Sequence, residues 1–125
     1  MSGKYLLDTN AIIYAINRKL TLPVGHYAVS VIAVMELLSW PGLSQEDEQQ
    51  LRAVIEQLEV VELVKSIQES AIRIRRATSL KLPDSIISAT AIHGGYLLIT
   101  DDQKLADKHV GKAMTLDQLM AGSQA

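Results

Sequence analysis

Residues Tyr96-Leu97-Leu98-Ile99-Thr100-Asp101-Asp102 decide how this chain is read. An apolar run of strand length ends in a hydroxyl and two acids, just ahead of a segment with helical patterning. The start of the chain is built alike, with Tyr5-Leu6-Leu7 running into Asp8-Thr9-Asn10. Between these stretches, strand-like and helix-like patterns alternate with short connections, and no internal repeat or low-complexity stretch intervenes. That alternation predicts an α/β fold with a mostly parallel sheet covered on both faces. Ligands of such sheets bind at the carboxyl ends of the strands, where both acid clusters are expected.

Working outward, Lys4 to Asp8 reads as a buried strand, followed by a helix from about Asn10 to Lys19. After the Pro23-Val24-Gly25 turn comes a short strand over Tyr27 to Ser30. Ser30 is then a candidate N-cap for an apolar helix running towards Trp40, which Pro41-Gly42 ends. Ser44 opens another helix. Val60 to Val64 is β-branched and strand-like, and Ser66 with Glu69 has capping-box spacing ahead of Ile67, Ala71 and Ile74. Leu82-Pro83-Asp84 starts a helix to about His93, a Gly94-Gly95 break follows, and the strand over Tyr96 to Thr100 comes next. A short helix, a strand near Ala113 to Thr115 and a closing helical turn complete the chain, read as a single domain over residues 1–125.

Composition narrows the chemistry. Nearly half of the residues are hydrophobic, so a core can form without staples. The absence of cysteine removes disulfide scaffolds, thiol catalysis and zinc–thiolate sites together. The first apolar run is too short for a signal peptide and no stretch could span a bilayer, so a cytoplasmic protein is expected. The net charge of −2 argues at first against a nucleic-acid partner. Setting four of the 14 acids aside (Asp8, Glu36, Asp84 and Asp102) leaves 10 against 12 basic residues, a mildly positive frame around a negative centre.

Each of those four acids has a bland reading beside a functional one. Asp8 and Asp102 could be helix caps. Glu36 could be a glutamate reaching solvent at the rim of the apolar helix Val31-Ile32-Ala33-Val34-Met35-Glu36-Leu37-Leu38; burial there would instead hold its carboxylate in one rotamer for a metal. Asp84, after Pro83, suits a helix start on capping grounds alone. It also stands one turn from Ser88, giving a narrow polar stripe on an otherwise apolar helix. Together the four make a hard-oxygen site suited to Mg²⁺ or Mn²⁺, which can hold a phosphate and activate a water without a serine, cysteine or histidine. His26, His93 and His109 have no ligand-like spacing and are read as surface or loop residues.

Leu7-Asp8-Thr9-Asn10, the Ser30 to Glu36 segment, Leu82-Pro83-Asp84 with Ala89, and Ile99-Thr100-Asp101-Asp102 resemble, in order, the acidic motifs of PIN domains. The likeness is to VapC-like toxins of type II toxin–antitoxin modules and covers essentially the whole chain. It implies a PIN-like α/β/α sandwich with about five strands and a metal-dependent endoribonuclease. Asp8 and Asp84 match direct metal ligands, Glu36 and Asp102 the remaining acids, and Asn10 and Thr100 supporting polar positions. The family's threonine–any residue–aspartate pattern selects Asp102 over Asp101, which could be a supporting group or a cap. Leu105 stands where the family often has an aromatic residue. The resemblance also implies a small antitoxin covering the acidic cleft, and homodimers, to which Val34-Met35-Leu37-Leu38-Trp40 could contribute surface. RNA contacts are sought among Arg73, Arg75, Arg76 and Lys81, first at Lys81 and Arg76.

Two rivals are weighed. A phosphoaspartate receiver domain would need an acidic pair after the first strand and an acid after the third, whereas Val60 to Val64 is followed by Lys65. A non-catalytic PIN-like scaffold that binds RNA or protein would have little use for a full acidic set, since clustered carboxylates repel one another.

Overall fold

The computed structural model describes residues 3–122. In chain order the elements are β1 (Gly3–Leu7), α1 (Thr9–Asn17), β2 (Gly25–Ser30), α2 (Val31–Leu38), α3 (Gln45–Glu56), β3 (Glu59–Val61), α4 (Lys65–Thr78), α5 (Leu82–Gly94), β4 (Leu97–Ile99), α6 (Gln103–Lys108), β5 (Ala113–Met114) and α7 (Leu116–Gly122). The five strands form one sheet in the order β3-β2-β1-β4-β5, with every neighbouring pair parallel. A receiver domain would show the order 2-1-3-4-5, so that rival is excluded. The chain moves outward from β1 through β2 to β3, then returns to lay β4 on the other side of β1. This reversal opens a crevice beyond the carboxyl ends of β1 and β4.

Adjacent residues of each central strand serve opposite layers, because strand side chains alternate. Leu7, Val29 and Ile99 pack with Ala11, Ile12, Ala33, Leu37, Leu116 and Leu119 on one face. Leu6, Ala28 and Leu98 pack with Leu80, Ile87, Ala91 and Leu105 on the other. Burial on both faces is why these strands read as continuous apolar runs instead of alternating ones. A third cluster joins Ile67 and Ala71 of α4 to Ile86 and Ala89 of α5. Helix α5 is thereby enclosed, and its hydroxyls turn back on its own backbone: Ser85 donates to the Lys81 carbonyl and Thr90 to that of Ile86. No helix among the described residues is long and apolar enough to cross a membrane.

Helix starts divide the expectations. Ser30 accepts from the Ile32 amide and Ser44 from the Asp47 amide, as their positions predict. The box expected at Ser66 and Glu69 does not form. Helix α4 begins earlier, with Val64 as a cap lacking any side-chain bond, and Glu69 lies 3.7 Å from Lys65. The strand expected over Val60 to Val64 is accordingly shorter. A reciprocal box occurs instead at Thr115, whose hydroxyl accepts from the Gln118 amide at 3.0 Å while the Gln118 side chain accepts from the Thr115 amide at 2.8 Å. Thr115→Ala is expected to cost about 1 kcal/mol in urea unfolding, and Ser66→Ala less than about 0.5 kcal/mol. Equal losses would refute this assignment of the caps.

Candidate active site

Parallel pairing sets Leu7 beside Ile99, so the residues that follow, Asp8 and Thr100, emerge together at the crevice. The Asp8 amide donates to the Ile99 carbonyl at 2.9 Å, extending the ladder one step past β1. Asp8 is only 5% exposed. Its Oδ1 accepts from the Thr9 amide at 2.7 Å and its Oδ2 from the Thr100 hydroxyl at 2.7 Å. The Thr100 hydroxyl in turn accepts from the Asp102 amide at 3.0 Å, so one buried oxygen orients Asp8 and the turn bearing Asp102. Asp102 caps α6 by accepting from Leu105 at 3.1 Å, as Asp8 caps α1. Both acids are therefore caps as well as cleft residues. Asp101 accepts from the Leu116 amide at 3.3 Å and so serves the start of α7, a different helix from the one that follows it.

Burial pushes the Asp8 carboxyl above its ordinary value; the Thr100 and Thr9 hydrogen bonds oppose this, and the charges of Asp102 and Glu36 add to it. Asp84, in the first turn of α5, is also raised, mainly by burial and then by Asp8 and Asp102. Lys81 and Lys104 pull it the other way. Lys104, on α6, was not singled out from the sequence; its signal was a cation two residues after Asp102. Glu36 departs from expectation: α2 turns Ala33 and Leu37 into the core and leaves Glu36 exposed. Its position comes from the Thr9 hydroxyl, which donates to Oε1 at 3.2 Å. Thr9 thus makes the contact for which its neighbour Asn10 was the sequence candidate, while Asn10 lines the cleft, exposed.

Asp8, Glu36, Asp84 and Asp102 line one cleft of about 910 Å³, together with Lys81 and an apolar wall that includes Ile13, Leu43 and Trp40. Among the described residues none of the four is in an ion pair. Nor are three of them drawn together as a ready-made ligand set. Asp8 and Asp84, raised by burial and then by neighbouring acids, are short of positive charge, and an all-oxygen donor set suits a hard divalent cation. The residues present therefore fit Mg²⁺ or Mn²⁺.

Two predicted residues lie elsewhere. Ser88 is fully buried and paired with His109 Nδ1 at 2.6 Å, so it does not extend Asp84's polar surface into the cleft. Sharing a helical face with Asp84 carries Ser88 one turn deeper, under α6. His109 is correspondingly no surface residue: it is 6% exposed, its Nε2 has no partner, and burial lowers its pKa. Arg76 is exposed in the last turn of α4, does not line the cleft, and suits the negative end of that helix. The segment Val34-Met35-Leu37-Leu38-Trp40 divides, with Leu37 in the core and Met35 and Trp40 60% and 68% exposed.

The PIN domain family profile matches residues 5–110. Comparison with curated proteins gives no match. Among solved structures, a toxin–antitoxin complex from Klebsiella pneumoniae is similar at 26% identity and a TM-score of 0.74, covering 90% of this chain and 97% of that one. VapBC2 from Rickettsia felis, bound to a promoter DNA fragment, is 21% identical with a TM-score of 0.73, covering 89% and 97%. VapBC-1 from nontypeable Haemophilus influenzae is 21% identical with a TM-score of 0.74, covering 90% and 98%. The last two likenesses concern the fold.

Because the folded Asp8 pKa is raised, the unfolded chain releases this proton first as pH rises. Stability in EDTA is then lost as pH rises from about 4 through the raised folded value. Asp8→Asn removes that loss while keeping an acceptor for the Thr9 amide. In EDTA at pH 7 the variant is expected to melt higher than wild type, with the gap closing near pH 4. Added Mg²⁺ or Mn²⁺ should raise the wild-type Tm only. A variant less stable than wild type at pH 7 would contradict this electrostatic account.

Proposed function

Because this chain belongs to the PIN domain family, we propose that it is a metal-dependent endoribonuclease of the VapC-like toxin type. The observation carrying the proposal is that four acids from separate elements line one cleft and, among the described residues, none has a basic partner in an ion pair. Residues 1–125 are read as one PIN domain, acting in the cytoplasm.

In this reading Asp8, Asp84, Asp102 and Glu36 hold Mg²⁺ or Mn²⁺. When bound, the cation supplies Lewis-acid polarisation of the phosphate and activation of the attacking water. The protein's own part is positional. Thr100 fixes Asp8 and, through the Asp102 amide, the turn beyond β4. Thr9 holds Glu36 at the solvent side of the cleft, where it can orient a water or accept its proton. Lys81, in the cleft lining, and Lys104, which also acts on Asp84, would meet phosphates flanking the cut. In-line displacement then leaves a 5′-phosphate and a 3′-hydroxyl.

The toxin assignment draws on the likeness to VapBC assemblies. It brings with it a small antitoxin that covers the acidic cleft and a homodimer of this chain. Both are part of the proposal.

The test is cleavage of a labelled structured-RNA pool with Mn²⁺ or Mg²⁺ and with excess EDTA. Cleavage should require the metal. It should fall by about 10- to 100-fold in Thr100→Val, in the range seen when a ligand's support is removed, and further in Asp8→Asn and Asp84→Asn. Lys81→Ala should weaken RNA binding and Arg76→Ala should not. Products ending in 2′,3′-cyclic phosphate would overturn the mechanism. Metal and RNA binding with no cleavage of any pool would favour the non-catalytic scaffold.

A further inference from the structure

Helix α5 carries Asp84 in its first turn, and α6 begins at Asp102. The separation of these two carboxylates is therefore set by how the two helices sit against each other. Lys104, in the first turn of α6, acts on Asp84, so the helices border each other at the cleft. Leu105 is buried in one cluster with Ile87 and Ala91. Apolar burial of that kind is not directional, and by itself it leaves α6 free to slide and turn.

One polar contact supplies the direction. Ser88, one turn beyond Asp84, lies 2.6 Å from Nδ1 of His109, the residue that ends α6. Among the described residues no other hydrogen bond or ion pair links the two helices or their caps. Both side chains are buried. A Cβ at Gly111 would lie 2.9 Å from His109 Nε2, so the chain leading to β5 closes against the ring. Either neutral tautomer leaves Nε2 unmet, as a donor or as an acceptor, and an apolar pair would fill the space at lower cost. What the polar pair adds is a fixed distance and angle between two helices.

A helix of six residues is not stable alone and takes its place from what holds its ends. At the Asp102 end, the Thr100 hydroxyl accepts from the backbone amide at 3.0 Å. At the other end stands His109. We infer that Ser88 and His109 are positioning residues for the metal site: their hydrogen bond locks the far end of α6 to α5 and so holds Asp102 at a fixed reach from Asp84. The inference rests on the metal-dependent reading above and adds two buried residues, neither of them lining the cleft, that set the affinity for the cation.

Mn²⁺ binding to the whole chain at neutral pH is followed by the EPR signal of the free ion, and stability by thermal unfolding in EDTA. Ser88→Ala/His109→Leu replaces the pair by apolar side chains. It should unfold no lower than wild type yet bind Mn²⁺ roughly 3- to 30-fold more weakly, the range for residues that act on a site without touching its ligand. His109→Asn is smaller but keeps a polar atom near the place of Nδ1. It should unfold lower and bind Mn²⁺ within about twofold of wild type. Opposite movement of stability and affinity is a result that a core-filling role cannot give. If the double variant binds Mn²⁺ as wild type does, or affinity falls with stability in both variants, the inference is overturned and the metal site stands. Should the double variant fail to fold, Ser88→Ala decides in its place: weaker Mn²⁺ binding than His109→Asn supports the lock, and equal binding overturns it. If wild type shows no Mn²⁺ binding that Asp8→Asn weakens, the metal reading falls, and this inference with it.

Discussion

The parallel register of β1 against β4 is the constraint on which the candidate site depends. Setting Leu7 beside Ile99 fixes the next pair, Asp8 and Thr100, at the sheet's edge, where the ladder ends and backbone groups need new partners. The Asp8 amide finds the Ile99 carbonyl, and the Asp102 amide finds the Thr100 hydroxyl. A register slip of one residue would send Leu6 and Leu7, with Leu98 and Ile99, to the wrong layers of the core. Each buried leucine or isoleucine contributes about 1.5–3 kcal/mol, so packing on both faces specifies the register. The core thus holds together charges that would otherwise separate.

Capping and chemistry are not competing explanations for Asp8 and Asp102. A strand that ends by turning into a helix needs an acceptor for the first free amides, and an acid supplies one. The same turn lies at the mouth of the crevice, so a capping carboxylate is already placed where a ligand would sit. Asp8 uses one oxygen for the Thr9 amide and the other for Thr100. Asp101, one residue from Asp102, turns instead to Leu116 and the start of α7. Two adjacent aspartates therefore serve the starts of two different helices.

Much of this was legible in the sequence, for reasons that differ by residue. The strand–acid–helix junctions at Asp8 and Asp102 could be read because three local signals coincide there. Glu36 could be found as the lone acid on an apolar helix, but the physical argument from burial did not hold: α2 buries only part of its circumference, and Thr9 positions the carboxylate. Ser88 and Arg76 show the limit of periodicity. Spacing says which residues share a helical face, not what that face meets, and here Ser88 meets His109 while Arg76 meets solvent. His109 carried no local signal at all, because its burial comes from packing across 21 residues. The capping boxes teach the same lesson: the spacing at Ser66 and at Thr115 is equally suggestive, and tertiary placement of α4 and α7 decides which one closes.

A net charge of −2 says little about what such a molecule binds, because association responds to local potential and not to the sum. Burial, and then the charge of neighbouring acids, raises Asp8 and Asp84 above the ordinary carboxylate value. A divalent cation that entered would relieve that repulsion, offset much of the acids' charge and present a local attraction to a phosphate oxygen. Lys81 and Lys104 then add to an attraction they could only moderate before. The same carboxylates that would repel a polyanion would thereby become the reason it could be held. Electrostatics in this cleft can switch with the cation, whereas the apolar part of its lining keeps its character in both states.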